Sequence, residues 1–363
     1  MTSLQDLVQQ GQSVWLDYIR RDLITSGELQ HLVSQGVSGL TSNPTIFQKA
    51  IAGSADYNAS LHRLLETDPR ADVTALYEAL AFEDIRLAAD ILRPVYEATD
   101  GADGFVSLEV SPHLAHDTAG TIAEARRLWQ AVDRPNLMIK VPATPEGIPA
   151  IEALIAEGIH VNVTLIFALA HYEAAAHAYI RGLERAPAPR RAASVASFFV
   201  SRVDTAVDRA LEAIGTPEAL ALRGRTAVAN AKVAYRRFQE IFGGESFAAL
   251  RRQGARVQRP LWASTSTKNP AYSDVLYVEE LIGPDTVNTL PPHTLEAFLD
   301  HGQVRGNTVQ EGVDEAEATL ARLADLGVDL GAITEQLQVE GVAAFAASYD
   351  RLLATLEEKR GSL

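Results

Sequence analysis

Leu137-Met-Ile-Lys-Val-Pro-Ala-Thr144 is an apolar run with a single charge in it, and it stops at a proline. Pro142 cannot donate to a sheet ladder, so the run reads as a strand over 137–141 with Lys140 near its end. An inward-pointing lysine cannot keep its charge cheaply, and a free amine in that position attacks carbonyl groups. That is the requirement for Schiff-base chemistry. The plainer alternative is a strand-end lysine whose stem snorkels to solvent. The surroundings of the strand decide between them.

Outward from this strand, apolar runs alternate with helical patterns in both directions. Further strands are expected at 13–19, 37–42, 104–110, 160–166, 191–199, 259–265 and 286–290. Helix-period segments fill the gaps: one reaching residue 35, then 45–99 with turns at Gly53-Ser54 and Asp68-Pro69. Others follow at 118–130, 146–157 and 169–183, two within 204–241, and one near 272–282. Beyond Pro291-Pro292 only helical patterns follow, at 311–326 and 330–358. Eight strands with intervening helices is the pattern of an α/β fold of parallel units, closing as a (β/α)8 TIM barrel. The alternative, an open doubly wound sheet, normally announces a Gly-x-Gly-x-x-Gly turn, and none occurs. The expectation is one barrel domain over 1–363, with 306–363 as a helical extension packed on or beside it.

Composition narrows the function. The 363 residues are 47% hydrophobic, enough for one large core. There is no cysteine, which excludes disulfides, thiolate metal sites and a cysteine nucleophile. The net charge of −15 is spread along the chain and argues against nucleic acid or an anionic membrane as main partner. A small phosphorylated substrate needs only two or three local cations and stays open. The pairs His113/His116 and His171/His177 do not reproduce a zinc-binding pattern, so no metal is expected. The start, Met1-Thr-Ser-Leu-Gln-Asp-Leu7, has no basic region before an apolar core, and the expected location is cytoplasmic.

In a barrel, chemistry sits at the C-terminal ends of the strands. There the sequence carries Asp17, Thr41-Ser42-Asn43, Glu109, Lys140, Asn162, Thr164, Ser197, Ser264 and Asn288. Two carboxylates and an amine converging on one mouth need one another as partners and displace one another's proton affinities.

Four segments carry a family resemblance: Gly39-Leu-Thr-Ser-Asn-Pro-Thr45, Leu137–Thr144, Val161-Asn-Val-Thr-Leu-Ile-Phe167 and Ala196-Ser-Phe-Phe-Val-Ser-Arg-Val-Asp204. Together they resemble the signature segments of transaldolases, in particular the long bacterial subfamily. The resemblance implies a cofactor-free class I aldolase-type barrel of the non-oxidative pentose phosphate pathway. It implies transfer of a dihydroxyacetone unit from sedoheptulose 7-phosphate or fructose 6-phosphate to an aldose phosphate. By resemblance Lys140 is the nucleophile and Asp17 the base at the C4 hydroxyl. Glu109 relays protons through a water bound by Thr164. Thr41, Ser42, Asn43, Asn162, Ser197 and Phe199 would meet the sugar. Arg202 and Ser264 match the family's phosphate contacts.

Many relatives carry a second arginine two residues after that serine. Here the segment reads Ala263-Ser-Thr-Ser-Thr-Lys-Asn269, and Lys268 is the nearest substitute. The rival readings are a fructose-6-phosphate aldolase, which releases free dihydroxyacetone, and a sugar-phosphate-binding barrel without catalysis. The first typically carries glutamine and tyrosine where Glu109 and Phe199 stand. The second has no reason to keep Asp17, Glu109 and Lys140 together. The helices after Thr308 read as a barrel cover or an oligomer contact, a homodimer being the assembly they would make.

Overall fold

The lysine strand is buried along its whole length, as a strand covered on both faces of a parallel sheet must be. A computed structural model of the protein describes residues 2–362. Eight parallel strands close into a barrel in chain order, the last pairing with the first. They are β1 (Gln12–Leu16), β2 (Val37–Leu40), β3 (Val106–Glu109) and β4 (Leu137–Pro142). The second half is β5 (Val161–Ile166), β6 (Ser194–Phe199), β7 (Arg259–Ala263) and β8 (Thr286–Leu290). The register sets Glu109 beside Lys140, and Lys140 beside Asn162, across three neighbouring strands.

Several sequence readings need correction at their ends. β1 stops at Leu16 rather than at residue 19. Asp17 is the first residue past it, its backbone N–H still donating to the Leu290 carbonyl at 2.8 Å. β2 stops at Leu40 because Asn43 turns to cap the Pro44–Ala52 helix, its side chain accepting from the Ile46 N–H. β6 begins at Ser194, since Pro189–Arg191 forms a 3-10 turn. The helix expected to reach residue 35 is two, broken at Gly27, whose φ of 89° favours glycine. Segment 272–282 holds only the short Leu276–Glu279 helix. The helices Glu245–Arg252 and Pro292–His301 escaped the sequence reading; Pro292 sits in the first turn, where its missing N–H costs nothing.

The lower barrel interior is filled by a polar lock around Trp15. Its indole N–H donates to Asp103 at 2.7 Å, and Arg259 lies over the ring at 5.9 Å. Arg259 also donates to Ser13 at 2.7 Å, and Ser13 in turn donates to Asp103. A Cβ on Gly39 would stand 2.5 Å from the indole, so this glycine is the space Trp15 needs. Trp15 is therefore core.

The Leu330–Ser362 helix crosses the upper end of the barrel. Gln338 reaches the carbonyls of Ala143 and Leu165 at 3.1 and 3.0 Å. Ser348 meets Thr45 at 2.9 Å, and Lys359 reaches the Ser54 carbonyl at 2.9 Å. Leu337, Phe345, Leu352 and Leu356 are buried on the face between these contacts. Among the described residues no helix is long and apolar enough to cross a membrane.

Candidate active site

Lys140 is 4% exposed. Its Nζ donates to the Ser42 carbonyl at 3.2 Å, lies 3.4 Å from Glu109 Oε2, and sits 5.6 Å from the centre of the Phe345 ring. Adjacent strands put lysine and glutamate side by side, and the crossing helix closes the space above. Nothing in this arrangement lets the stem snorkel out.

Asp17 enters from β1's end and is held by Thr41, whose hydroxyl donates to it at 2.7 Å. That hydroxyl also meets Thr289 at 2.8 Å. Burial raises the Asp17 carboxyl above the ordinary carboxylate range, outweighing the opposing pull of Lys140 and the Thr41 hydrogen bond. Burial likewise raises Glu109 against the pull of Lys140, and the charge on Asp17 adds to the rise. Two carboxyls of raised proton affinity beside an amine suit acid–base work.

Thr164 Oγ1 is buried and makes no hydrogen bond among the described residues, and Glu109 Oε2, also buried, has the Lys140 contact at 3.4 Å. They flank Lys140 from β3 and β5. The Thr164 hydroxyl thus keeps hydrogen-bonding capacity toward a small polar guest beside Glu109. Below them Asn162 is locked, accepting from Ser197 at 2.7 Å and donating to Ser107 at 3.0 Å. The Ser42 hydroxyl donates to the Ser107 carbonyl at 2.7 Å and is fully buried, away from the cavity. Asn43 spends its carbonyl on the helix cap and lines the cavity.

The cavity above Lys140 has a volume of about 300 Å³ and joins Asp17, Thr41, Asn43, Thr164, Ser197 and Phe199 to a cationic far end. There Arg202 lies over the Phe199 ring at 5.5 Å, and Lys268 donates to Ser266 at 2.7 Å. Ser264 adopts φ 56° and meets Ser201 at 2.9 Å, side chain to side chain. Burial lowers the proton affinity of both Arg202 and Lys268. Asn288 is not part of this wall. Its neighbour Thr289 lines the cavity, so strand alternation turns Asn288 outward, where it pairs in register with Trp262.

Sequence reasoning missed Lys49, Thr289, Phe345 and Gln338. Lys49 lies a turn inside a helix, and the last two sit on a distant segment with no local motif. A larger cavity, about 520 Å³, opens among Gly11, Met138, Arg251, Arg256, Arg259 and Asp285. Its arginines are engaged with Phe242, Asp100 and Ser13. It holds no lysine.

Residues 14–356 match the transaldolase/fructose-6-phosphate aldolase family. The chain is 54% identical to a transaldolase of Parafrankia sp. (strain EAN1pec), over 99% of this chain and 98% of that one. A transaldolase of Thiobacillus denitrificans is also 54% identical, over 98% and 100%. One from Mycolicibacterium smegmatis is 50% identical, over 97% and 95%.

Proposed function

This chain belongs to the transaldolase/fructose-6-phosphate aldolase family, and on that premise we propose that Lys140 carries the Schiff base of its reaction. The activity is that of a transaldolase, an enzyme moving a dihydroxyacetone unit between sugar phosphates. The observation that carries the assignment is a lysine 4% exposed, 3.4 Å from a carboxyl raised by burial, in one cavity with a second raised carboxyl. A proton passed across the Lys140–Glu109 contact leaves a neutral amine and a neutral acid, the pair that addition to a ketone needs.

The amine adds to C2 of the ketose phosphate and the C2 oxygen takes a proton. Glu109, through a water seated at Thr164, protonates that hydroxyl as it leaves, giving the imine and water. Asp17 then takes the proton of the C4 hydroxyl, and the C3–C4 bond breaks. Its electron pair flows into the imine, leaving an enamine on Lys140 and a free aldose phosphate. An acceptor aldehyde enters, the enamine carbon attacks it, and Asp17 returns the proton to the new hydroxyl. Water releases the lengthened ketose. Thr41 fixes Asp17, while Asn43, Asn162 and Ser197 orient the three-carbon unit; Arg202, Ser264 and Lys268 take the phosphate. Ser42 acts through its carbonyl, which aims the Lys140 amine.

Borohydride reduction with fructose 6-phosphate tests the assignment. The expected result is a stable mass gain on the peptide carrying Lys140, and no turnover in Lys140→Arg, whose guanidinium stays protonated. A Lys140→Arg enzyme with ordinary turnover overturns it.

A further inference from the structure

The cationic end of the cavity holds more positive charge than the sequence led us to expect. Thr45, Ile46 and Lys49 line it from the Pro44–Ala52 helix, Lys49 lying at i+4 from Thr45 and i+3 from Ile46. Lys49 makes no ion pair or side-chain hydrogen bond among the described residues, in a chain whose carboxylates outnumber its cations by fifteen. Arg202 touches the Phe199 ring instead of a carboxylate. The carboxylate whose field reaches it, Glu340, is hydrogen-bonded by Gln336 at 3.0 Å. Among the described residues Lys268 donates only to Ser266. Among the described residues the one acid lining the cavity, Asp17, is engaged by Thr41. Burial disfavours the charge on Lys268 most, and the charges of Arg202 and Lys49 add to that against the opposing pull of Asp17, so both cations lie within reach of Lys268.

We propose that Lys49 is a third cation for the terminal phosphate dianion of the sugar, joining Arg202 and Lys268 from the β2 side. Asp17, at the Lys140 end, offsets only part of the repulsion that Lys268 meets, and a bound dianion removes the remainder. The span of the site also follows. Lys49 comes from the segment after β2, Arg202 from the one after β6 and Lys268 from the one after β7. The phosphate is thereby gripped from both sides of the mouth, and the sugar chain runs from it down to Lys140.

This inference rests on the Schiff-base reading for the identity of the phosphate, so the experiment has two arms. In the first, Lys49→Met should lower the ratio of kcat/KM for fructose 6-phosphate to that for fructose by about tenfold, through KM, with Lys49→Arg recovering most of it. In the second, inorganic phosphate is titrated calorimetrically into parent and Lys49→Met proteins, and the variant should bind it about tenfold more weakly. An unchanged ratio together with unchanged phosphate affinity overturns the proposal and leaves Lys49 a solvated helix lysine. Phosphate binding that depends on Lys49, without a borohydride adduct on Lys140, sustains the third cation and overturns the Schiff-base assignment instead.

Discussion

At the scale of single residues, the site divides proton handling between two carboxyls that share a cause but differ in their direct contacts. Both are raised by burial, yet Glu109 faces the amine and Asp17 faces Thr41. Asp17→Asn should therefore stall after imine formation, so that borohydride-trapped adduct accumulates while turnover falls by roughly a hundredfold or more. Glu109→Gln should slow imine formation itself and yield little adduct. Equal trapping kinetics in the two variants would sink this division. These residues were legible in the sequence because each is polar at the end of an apolar run. Lys49 was not legible: a lysine on an amphipathic helix looks the same whether it faces solvent or a cavity, and only the closed barrel fixes its direction.

At the scale of elements, the Leu330–Ser362 helix is a structural wall of the site. Leu165 takes φ 57° beside Thr164, a conformation that costs a leucine about 1–3 kcal/mol. It lies where the β5–β6 register slips. Gln338 binds the Leu165 carbonyl and the Ala143 carbonyl just beyond the lysine strand, holding the two strand ends together. Gln338→Glu keeps the shape but turns the donor into an acceptor. It should cost about 1–3 kcal/mol of stability and lower kcat about tenfold, with KM for fructose 6-phosphate little moved. If chemical denaturation and kcat both match the parent, the helix is a passive cover. The sequence displayed this helix clearly by its period, but its destination was invisible, because the contacts span more than 150 positions of chain. Strand ends were misjudged for a related reason. Burial continues past the last ladder pair where the following turn is also enclosed, as at Ile19 and Thr265.

At the scale of the whole molecule, the barrel's order was readable as eight apolar runs, while the locks that close its lower end were not. His160 is one such lock: its Nδ1 accepts from the Ala193 N–H at 3.0 Å and its Nε2 donates to the Pro135 carbonyl at 3.0 Å. Burial holds its imidazole down at about 4, whereas an unfolded histidine titrates at about 6.5. Between those values the unfolded chain binds a proton that the folded one refuses. Stability from this group is full above about pH 6.5 and drains as pH falls toward 4. His160→Gln should remove roughly 2 kcal/mol of the loss between pH 7 and pH 5, read from urea midpoints. Parallel pH trends in the two proteins would refute the assignment. The row Glu109–Lys140–Asn162 carries a different consequence. Strand spacing acts as a ruler of about 4.8 Å between the two backbones, from which the side chains close to 3.4 Å, so the lattice decides whether acid and amine can meet at all. A slip of one residue in β4 would turn the amine toward the helices, and a slip of two would lift it about 6–7 Å along the axis. Lengthening a loop around this barrel is a tolerable edit. Inserting one residue into β4 erases the reaction at a stroke, with every side chain of the site still encoded.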